Sequence, residues 1–151
     1  MKAVVVAFAL AGTAHADRPV HGSAGIGGAF VAIGSRGDRL RGEAMLELKP
    51  RSRFGGLLAW RTFDQTHDGI VMAGVIFEAA AARPRLVIDL HGELGFDLDT
   101  RDPAVGGGIR TTLGVIGPLG VALDAGLYAM LDDLETSRLQ LATSALVVAR
   151  W

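Results

Sequence analysis

The 151-residue sequence contains no cysteine, so neither a disulfide framework nor a thiolate metal site can form. It also lacks a large excess of charge: the formal net charge is −1 and no long basic run is present, which argues against nucleic acid as a partner. Lysine is almost absent, since Lys49 is the only lysine after Lys2. Beyond the N-terminus there is no run of eighteen apolar residues, which excludes a transmembrane helix.

The N-terminal segment has the organisation of a secretory signal peptide. Lys2 supplies the positive charge, residues 3–10 are apolar, and Ala14-His15-Ala16 has the small-residue pattern that precedes a cleavage site. The alternative is a buried first strand that stays in the mature fold. We favour export, with residues 1–16 as a signal peptide and residues 17–151 as one domain beyond the inner membrane.

Most of the remaining chain alternates between apolar and polar residues. In the stretch LVIDLHGELGFDL, residues 86–98, apolar residues or glycine occupy every second position, and Asp89, His91, Glu93 and Asp97 lie among the others. A period of two indicates a β-strand with one apolar and one charged face. Turn-forming stretches divide the chain into eight such segments; they lie at 35–39, 49–53, 64–69, 82–85, 99–104, 117–118 and 132–137. The sequence therefore predicts an all-β, eight-stranded antiparallel up-and-down barrel.

Two kinds of barrel fit this alternation. A soluble lipocalin-like barrel turns its apolar face inward around an apolar ligand, whereas a transmembrane barrel turns that face outward into lipid and keeps a polar interior. Water-exposed surfaces are usually rich in lysine, which is scarce here, and the charged face is rich in small residues that suit a narrow lumen. We therefore predict a transmembrane barrel, with the soluble exported barrel as an alternative.

The aromatic residues of the apolar face are expected to form two belts, one at each membrane interface. The belt near the chain termini comprises Phe54, Phe77 and Trp151, and the belt at the opposite end comprises Phe30, Trp60 and Phe96. Ordinary core packing, the alternative explanation, would give no reason for two rings.

The last strand, LQLATSALVVARW, has alternate apolar positions and ends in Trp151. This ending resembles the C-terminal signal of outer-membrane barrels, and residues 20–151 as a whole resemble the small eight-stranded outer-membrane proteins, namely the transmembrane domain of OmpA and OmpX-like barrels. The resemblance implies a monomer in the outer membrane of a Gram-negative bacterium. It also implies outer-membrane lipid, lipopolysaccharide and the barrel-insertion machinery as partners. The outer loops are shorter here than is usual in those proteins.

The charged face supplies candidates for a cluster in the lumen. Antiparallel pairing across the turn at 99–104 places Glu93 opposite Arg110, and pairing across 117–118 places Arg110 opposite Asp124; barrel shear could shift these pairs by a couple of residues. Unpaired charges in a narrow lumen are costly, so we expect mutual pairing and a filled, non-conducting interior. The predicted cluster comprises Glu93, Arg110, Asp124, Glu43, Arg41 and Arg61.

The expected role is structural or envelope-related, with no catalytic residues. The alternative is an outer-membrane enzyme that modifies lipid A by acyl transfer or deacylation, but the lipid-facing stripe has no serine, histidine or carboxylate for that chemistry. His67 and Asp68 fall in an outer loop, where a solvated histidine is the more frequent case. Asp89, His91 and Glu93 share one strand face at about 7 Å spacing, which favours an interior charge network over a metal site. We expect neither a metal nor a cofactor.

Overall fold

A computed structural model describes residues 20–33, 40–50, 53–63, 69–82, 85–131 and 138–151, without the side chains at 20, 29–33, 40–41, 63, 138 and 140. Eight β-strands follow one another: β1 (Val20–Ile33), β2 (Leu40–Pro50), β3 (Phe54–Phe63), β4 (Ile70–Ala82), β5 (Leu86–Asp97), β6 (Pro103–Ile116), β7 (Leu119–Met130) and β8 (Arg138–Arg150). Each turn predicted from the sequence falls between two consecutive strands or overlaps a strand end by at most two residues. Within the described residues, no helix is long and apolar enough to cross a membrane.

The strands pair in chain order, each antiparallel to the next, and β1 also pairs with β8. The sheet therefore closes into a barrel, in which every strand has two neighbours and no sheet edge remains among these eight strands. The prediction of a closed eight-stranded, antiparallel up-and-down barrel is confirmed.

The connections at the two ends of the barrel differ in length. Both termini of the barrel and the connections at 51–53, 83–85 and 117–118 lie at one end, which we call the terminal end. The connections at 34–39, 64–69, 98–102 and 131–137 lie at the opposite end, which we call the loop end. At the loop end, Asp97 Oδ1 accepts hydrogen bonds from the backbone N–H groups of Asp99 (2.7 Å) and Thr100 (3.0 Å), which fixes the turn between β5 and β6.

The two faces of the strands meet different surroundings. Along β7, exposed and buried residues alternate: Leu123 and Leu127 are 54% and 51% exposed, whereas Asp124 and Tyr128 are 3% and 6% exposed. On β5, Leu94 is 70% exposed while its neighbour Glu93 is buried. The apolar face therefore lies outside and the charged face inside, as the sequence predicts. This orientation excludes a barrel whose apolar face surrounds a ligand.

Apolar residues also fill part of the lumen, so the interior is mixed, whereas the sequence analysis expected it to be polar. One cluster lies toward the loop end and consists of Ile70, Met72, Ala104, Tyr128 and Ala142. The other lies toward the terminal end and consists of Met45, Leu57, Ile76, Ala122, Leu146 and Val148. These inward apolar side chains occupy space in which further charges would need partners of their own.

Two aromatic rings depend on glycine for their positions. The Tyr128 ring lies inside the barrel over Gly106 and Gly126, where an added Cβ would come within 2.3 Å and 2.8 Å of its atoms. Trp151 lies over Gly22, where an added Cβ would come within 2.5 Å of the indole ring. The backbones of Gly22 and Trp151 also exchange two hydrogen bonds of 3.0 Å, so the chain end is fixed to the first strand.

Candidate functional site

Arg110, on β6, lies in the middle of a network of buried charges and is itself 0% exposed. Its Nε donates to Oδ2 of Asp124 at 2.8 Å and its Nη1 donates to Oε1 of Glu47 at 2.5 Å. Its Nη2 lies 3.5 Å from Oε1 of Glu43. Three carboxylates from β2 and β7 thus surround one guanidinium, whose planar set of donors suits several acceptors at once.

Arg61, on β3, supplies the second buried guanidinium of the network. Its Nη2 donates to Oε1 of Glu43 at 2.9 Å and to Oε1 of Glu93 at 3.0 Å, and its Nη1 donates to the other oxygen of Glu93. The pairing with Glu93 is therefore bidentate, which is a strong form of this contact. Because Glu43 contacts both Arg61 and Arg110, the two halves form one continuous network.

Arg61 also joins the network to the apolar cluster at the loop end. Its Cζ lies 4.5 Å from the centroid of the Tyr128 ring, within the range of a cation–π interaction. Its Nη1 lies 3.2 Å from the sulfur of Met72. The Tyr128 hydroxyl, in turn, makes a long hydrogen bond of 3.4 Å to Oδ1 of Asp124. The guanidinium is thus enclosed by charged groups on one side and by polarisable groups on the other.

His91, on β5, lies between two carboxylates. Its Nδ1 is 2.7 Å from Oε1 of Glu93, and its Nε2 is 3.0 Å from Oδ2 of Asp124. These contacts are close but not aligned as hydrogen bonds. With an acceptor oxygen facing each ring nitrogen, the site suits the doubly protonated ring, which carries a donor at both positions. His91 therefore links the acid partner of Arg61 to that of Arg110.

Two serines complete the hydrogen bonding of the carboxylates on β2. Ser144 Oγ on β8 donates to Oε2 of Glu43 at 2.7 Å, and Ser23 Oγ on β1 donates to Oε2 of Glu47 at 2.7 Å. Each glutamate thus receives an arginine on one oxygen and a hydroxyl on the other. This satisfies acceptors that would be costly to bury without partners.

A separate buried ion pair lies closer to the terminal end. Lys49 Nζ on β2 is 2.5 Å from Oδ1 of Asp89 on β5, and the two side chains are 10% and 2% exposed. The sequence analysis assigned Lys49 to a turn, whereas β2 continues to Pro50 and carries the lysine side chain into the lumen. Proline is compatible with the end of a strand, where its missing N–H costs little.

The two strand registers predicted around Arg110 have different outcomes. Arg110 lies opposite Asp124, which confirms that prediction. The pairing of Glu93 with Arg110 is wrong, because Asp89 lies opposite Arg110 and Glu93 lies opposite Gly106. The reason is that β6 already begins at Pro103, inside the stretch assigned to the turn, so the turn is centred earlier in the sequence. Glu93 reaches the network through Arg61 and His91 instead.

Five of the six residues of the predicted cluster lie together in this network; they are Glu43, Arg61, Glu93, Arg110 and Asp124. The sixth, Arg41, has its side chain outside the described part of the structure. The network also includes Glu47, His91 and Ser144, which the predicted cluster lacked. His91 was already expected in an interior charge network with Asp89 and Glu93, and Glu47 could have been added by extending the inward face of β2, since it lies four residues beyond Glu43.

The residues predicted to form aromatic belts lie near both ends of the strands. Near the terminal end, Phe54 and Phe77 are directly opposite each other, with ring centroids 4.8 Å apart. Toward the loop end, Trp60 and Phe96 are 44% and 48% exposed and flank the same residue of β4. Trp151 covers Gly22, whereas the side chain of Phe30 is outside the described residues.

Other residues considered from the sequence divide into two groups. Residues 1–16, His67 and Asp68 lie outside the described residues. Asp89, His91 and Glu93 are described, and ion pairs engage all three, as expected for an interior charge network. Within the described part of the chain, no group of three or more His, Asp or Glu side chains is arranged to hold a metal ion.

No known family model and no curated protein matches this chain. Among solved structures, the chain is similar to the backbone structure of the Yersinia pestis outer membrane protein Ail in a phospholipid bilayer nanodisc. The two sequences are 14% identical, and the match covers 87% of this chain and 99% of the Ail chain with a TM-score of 0.47. The likeness is one of backbone architecture, which the strand pairing described above establishes independently for this chain.

Proposed function

We propose that this protein is an integral barrel of a Gram-negative outer membrane, where it has a structural role in the envelope. The observation that carries the proposal is the orientation of the barrel wall, whose apolar face lies outside and whose charged face lies inside. Large apolar side chains such as Leu94 (70% exposed), Val75 (66%) and Leu139 (61%) point outward, while Arg61 and Arg110 are fully buried. A water-soluble protein rarely exposes so continuous an apolar surface, whereas a lipid-facing one requires it.

Strand length and closure support the same proposal. The strands contain 10 to 14 residues, and a tilted membrane-spanning strand needs about 9–11. Closure pairs the backbone groups of each strand with two neighbours, which the hydrocarbon region demands because it offers no water as a partner. Outer-membrane barrels have short periplasmic turns and longer outer loops, so we assign the terminal end to the periplasm and the loop end to the exterior.

The filled lumen supports a structural rather than a conducting role. Arg110 lies across the centre between Glu47, Glu43 and Asp124, and the apolar clusters occupy space on both sides of the network. An ion crossing the barrel would have to displace buried, paired charges, which carries a high desolvation cost. We expect planar bilayers containing the purified protein to show no conductance steps; regular steps would contradict a closed lumen.

The remaining elements of the proposal concern export and partners. Residues 1–16 act as the signal peptide, and the barrel-insertion machinery recognises the last strand, which ends at Trp151. Once inserted, the protein is a monomer surrounded by outer-membrane lipid and lipopolysaccharide. The aromatic residues near both strand ends support this arrangement, because such rings prefer the two membrane interfaces.

Spin labelling tests the proposal directly, because the chain has no cysteine and a single introduced one carries the only label. Leu94→Cys places a nitroxide on the outward face, and Thr100→Cys provides an exposed control in the turn at the loop end. In lipid vesicles, we expect molecular oxygen to relax the label at 94 and a water-soluble nickel chelate to relax the label at 100. Equal relaxation of both labels by the chelate, or a monomer that stays dissolved without detergent, would contradict a lipid-facing surface.

A further inference from the structure

A cavity of about 280 Å³ opens at the terminal end of the barrel, next to the Lys49–Asp89 ion pair. At about 30 Å³ per water molecule, this space equals about nine waters, which corresponds to a small organic molecule. Its wall includes buried charged residues, Lys49 and Asp89, as well as exposed ones such as His21. The charges of Lys49 and Asp89 compensate each other in an ion pair, and both residues also border the open space.

The charges around this cavity are divided between two opposite walls. His21 on β1, Lys49 on β2 and Arg150 on β8 form a basic wall, and His21 lies directly opposite Lys49 in the sheet. Glu47 on β2 also lines this wall, but Ser23 and Arg110 already engage its carboxylate oxygens. Glu78 on β4 and Asp89 on β5 form an acidic wall and also lie directly opposite each other. In a barrel whose strands pair in chain order, β8, β1 and β2 are neighbours and face β4 and β5 across the lumen.

The Lys49–Asp89 pair crosses the lumen between these walls and leaves hydrogen-bonding capacity on both partners. An ammonium group has three donors, and one of them points to Oδ1 of Asp89 at 2.5 Å. A carboxylate accepts several hydrogen bonds, so Asp89 can also accept from a second donor. The edge of the cavity therefore offers an ammonium and a carboxylate side by side.

We propose that this cavity binds a small zwitterion, a molecule of amino-acid or dipeptide size that carries both a carboxylate and an ammonium group. The carboxylate of the ligand faces Lys49 and Arg150, and its ammonium faces Asp89 and Glu78. Val87, which lines the cavity, provides an apolar surface for a short side chain. A simple anion would meet repulsion from the acidic wall and a simple cation from the basic wall, so a molecule with both charges fits best.

The test uses the full-length mature protein in lipid nanodiscs and four dipeptide probes of nearly equal size. The probes are L-alanyl-L-alanine, its N-acetylated form, its C-terminal amide and the form blocked at both ends. The readout is the set of backbone amide signals of Ser23 and Thr112, which line the cavity, in NMR spectra, with the amide of Thr100 at the loop end as the internal control.

We expect the unblocked dipeptide to shift the Ser23 and Thr112 amide signals to saturation in the millimolar range and leave the Thr100 amide signal unchanged. Each singly blocked form should bind at least about tenfold more weakly, because it loses one charge-assisted contact. Equal binding of all four probes would overturn the proposal. The absence of any shift with the unblocked dipeptide would also overturn it, and the cavity would then hold water alone.

Variants identify the residues responsible. The double variant Lys49→Met with Asp89→Asn removes both charges together, so neither is left buried without a partner. Asp97→Asn is the matched control, because Asp97 is 2% exposed but lies at the loop end. We expect the double variant to lose at least about tenfold in affinity and the control to bind normally. A control that weakens binding as much as the double variant would refute the assignment, and gel mobility without boiling verifies that both variants are folded.

Discussion

Arg110 offers the sharpest test of the interior network. Its guanidinium is 0% exposed and contacts Asp124, Glu47 and Glu43. Each of these acids keeps at least one other partner, so Arg110→Met does not isolate any of them completely. Removal of one partner from a buried ion pair nevertheless costs about 3–5 kcal/mol, because the remaining charges stay desolvated. We expect a loss of that size in the free energy of unfolding.

Urea titration of the protein in lipid vesicles, followed by tryptophan fluorescence, measures this loss. Arg85→Met is the matched control, because Arg85 is exposed and surface charges contribute less than about 1 kcal/mol. Adding Glu47→Gln to Arg110→Met removes one uncompensated acid and should restore part of the stability, with a coupling energy of about 0.5–3 kcal/mol. If Arg110→Met costs no more than the Arg85 control, the network does not stabilise the barrel.

Three further predictions concern single positions. Tyr128→Phe should lower the free energy of unfolding by less than about 1 kcal/mol, because it loses only a 3.4 Å hydrogen bond. Tyr128→Ala should lower it by about 3–5 kcal/mol, because it empties the space over two glycines. Urea titration compares the two variants. Gly22→Ala should displace Trp151 and lower the temperature at which the gel-mobility shift disappears. Gly56→Ala is the control: a Cβ at residue 56 has no neighbouring atom within 4 Å, so this temperature should stay unchanged. Leu123→Arg, in the middle of β7 and on the outward face, should destabilise the vesicle-inserted protein by about 2–4 kcal/mol; no measurable cost would place residue 123 in water.

Much of the architecture could be predicted from the sequence, because a strict period of two determines both the strands and the faces of each strand. The outward position of Leu94 and the inward position of Glu93 follow from that period alone. Strand order also follows, since short connections join antiparallel neighbours. The order of the strands around the barrel could therefore be predicted from the positions of the turns alone.

The partners within the lumen could not be predicted in the same way. A turn whose centre moves by two residues changes every cross-strand partner, as happened when Glu93 was expected opposite Arg110. Contacts across the lumen, such as Arg61 with Glu93, depend on strand tilt and side-chain length, which alternation does not encode. The ion pair of Lys49 with Asp89 was not predicted, because the adjacent Pro50 suggested that a turn begins at residue 49, although the strand extends through both residues.

The network joins segments that are far apart in the sequence. Glu43 accepts a hydrogen bond from Ser144, 101 positions away, and lies near Arg110, 67 positions away. A sheet that has not yet closed into a barrel cannot make these contacts. Its acids and arginines would then be exposed to lipid or water without their final partners. These charges therefore destabilise partly assembled forms and are fully paired only in the closed barrel, which makes the last step of assembly cooperative.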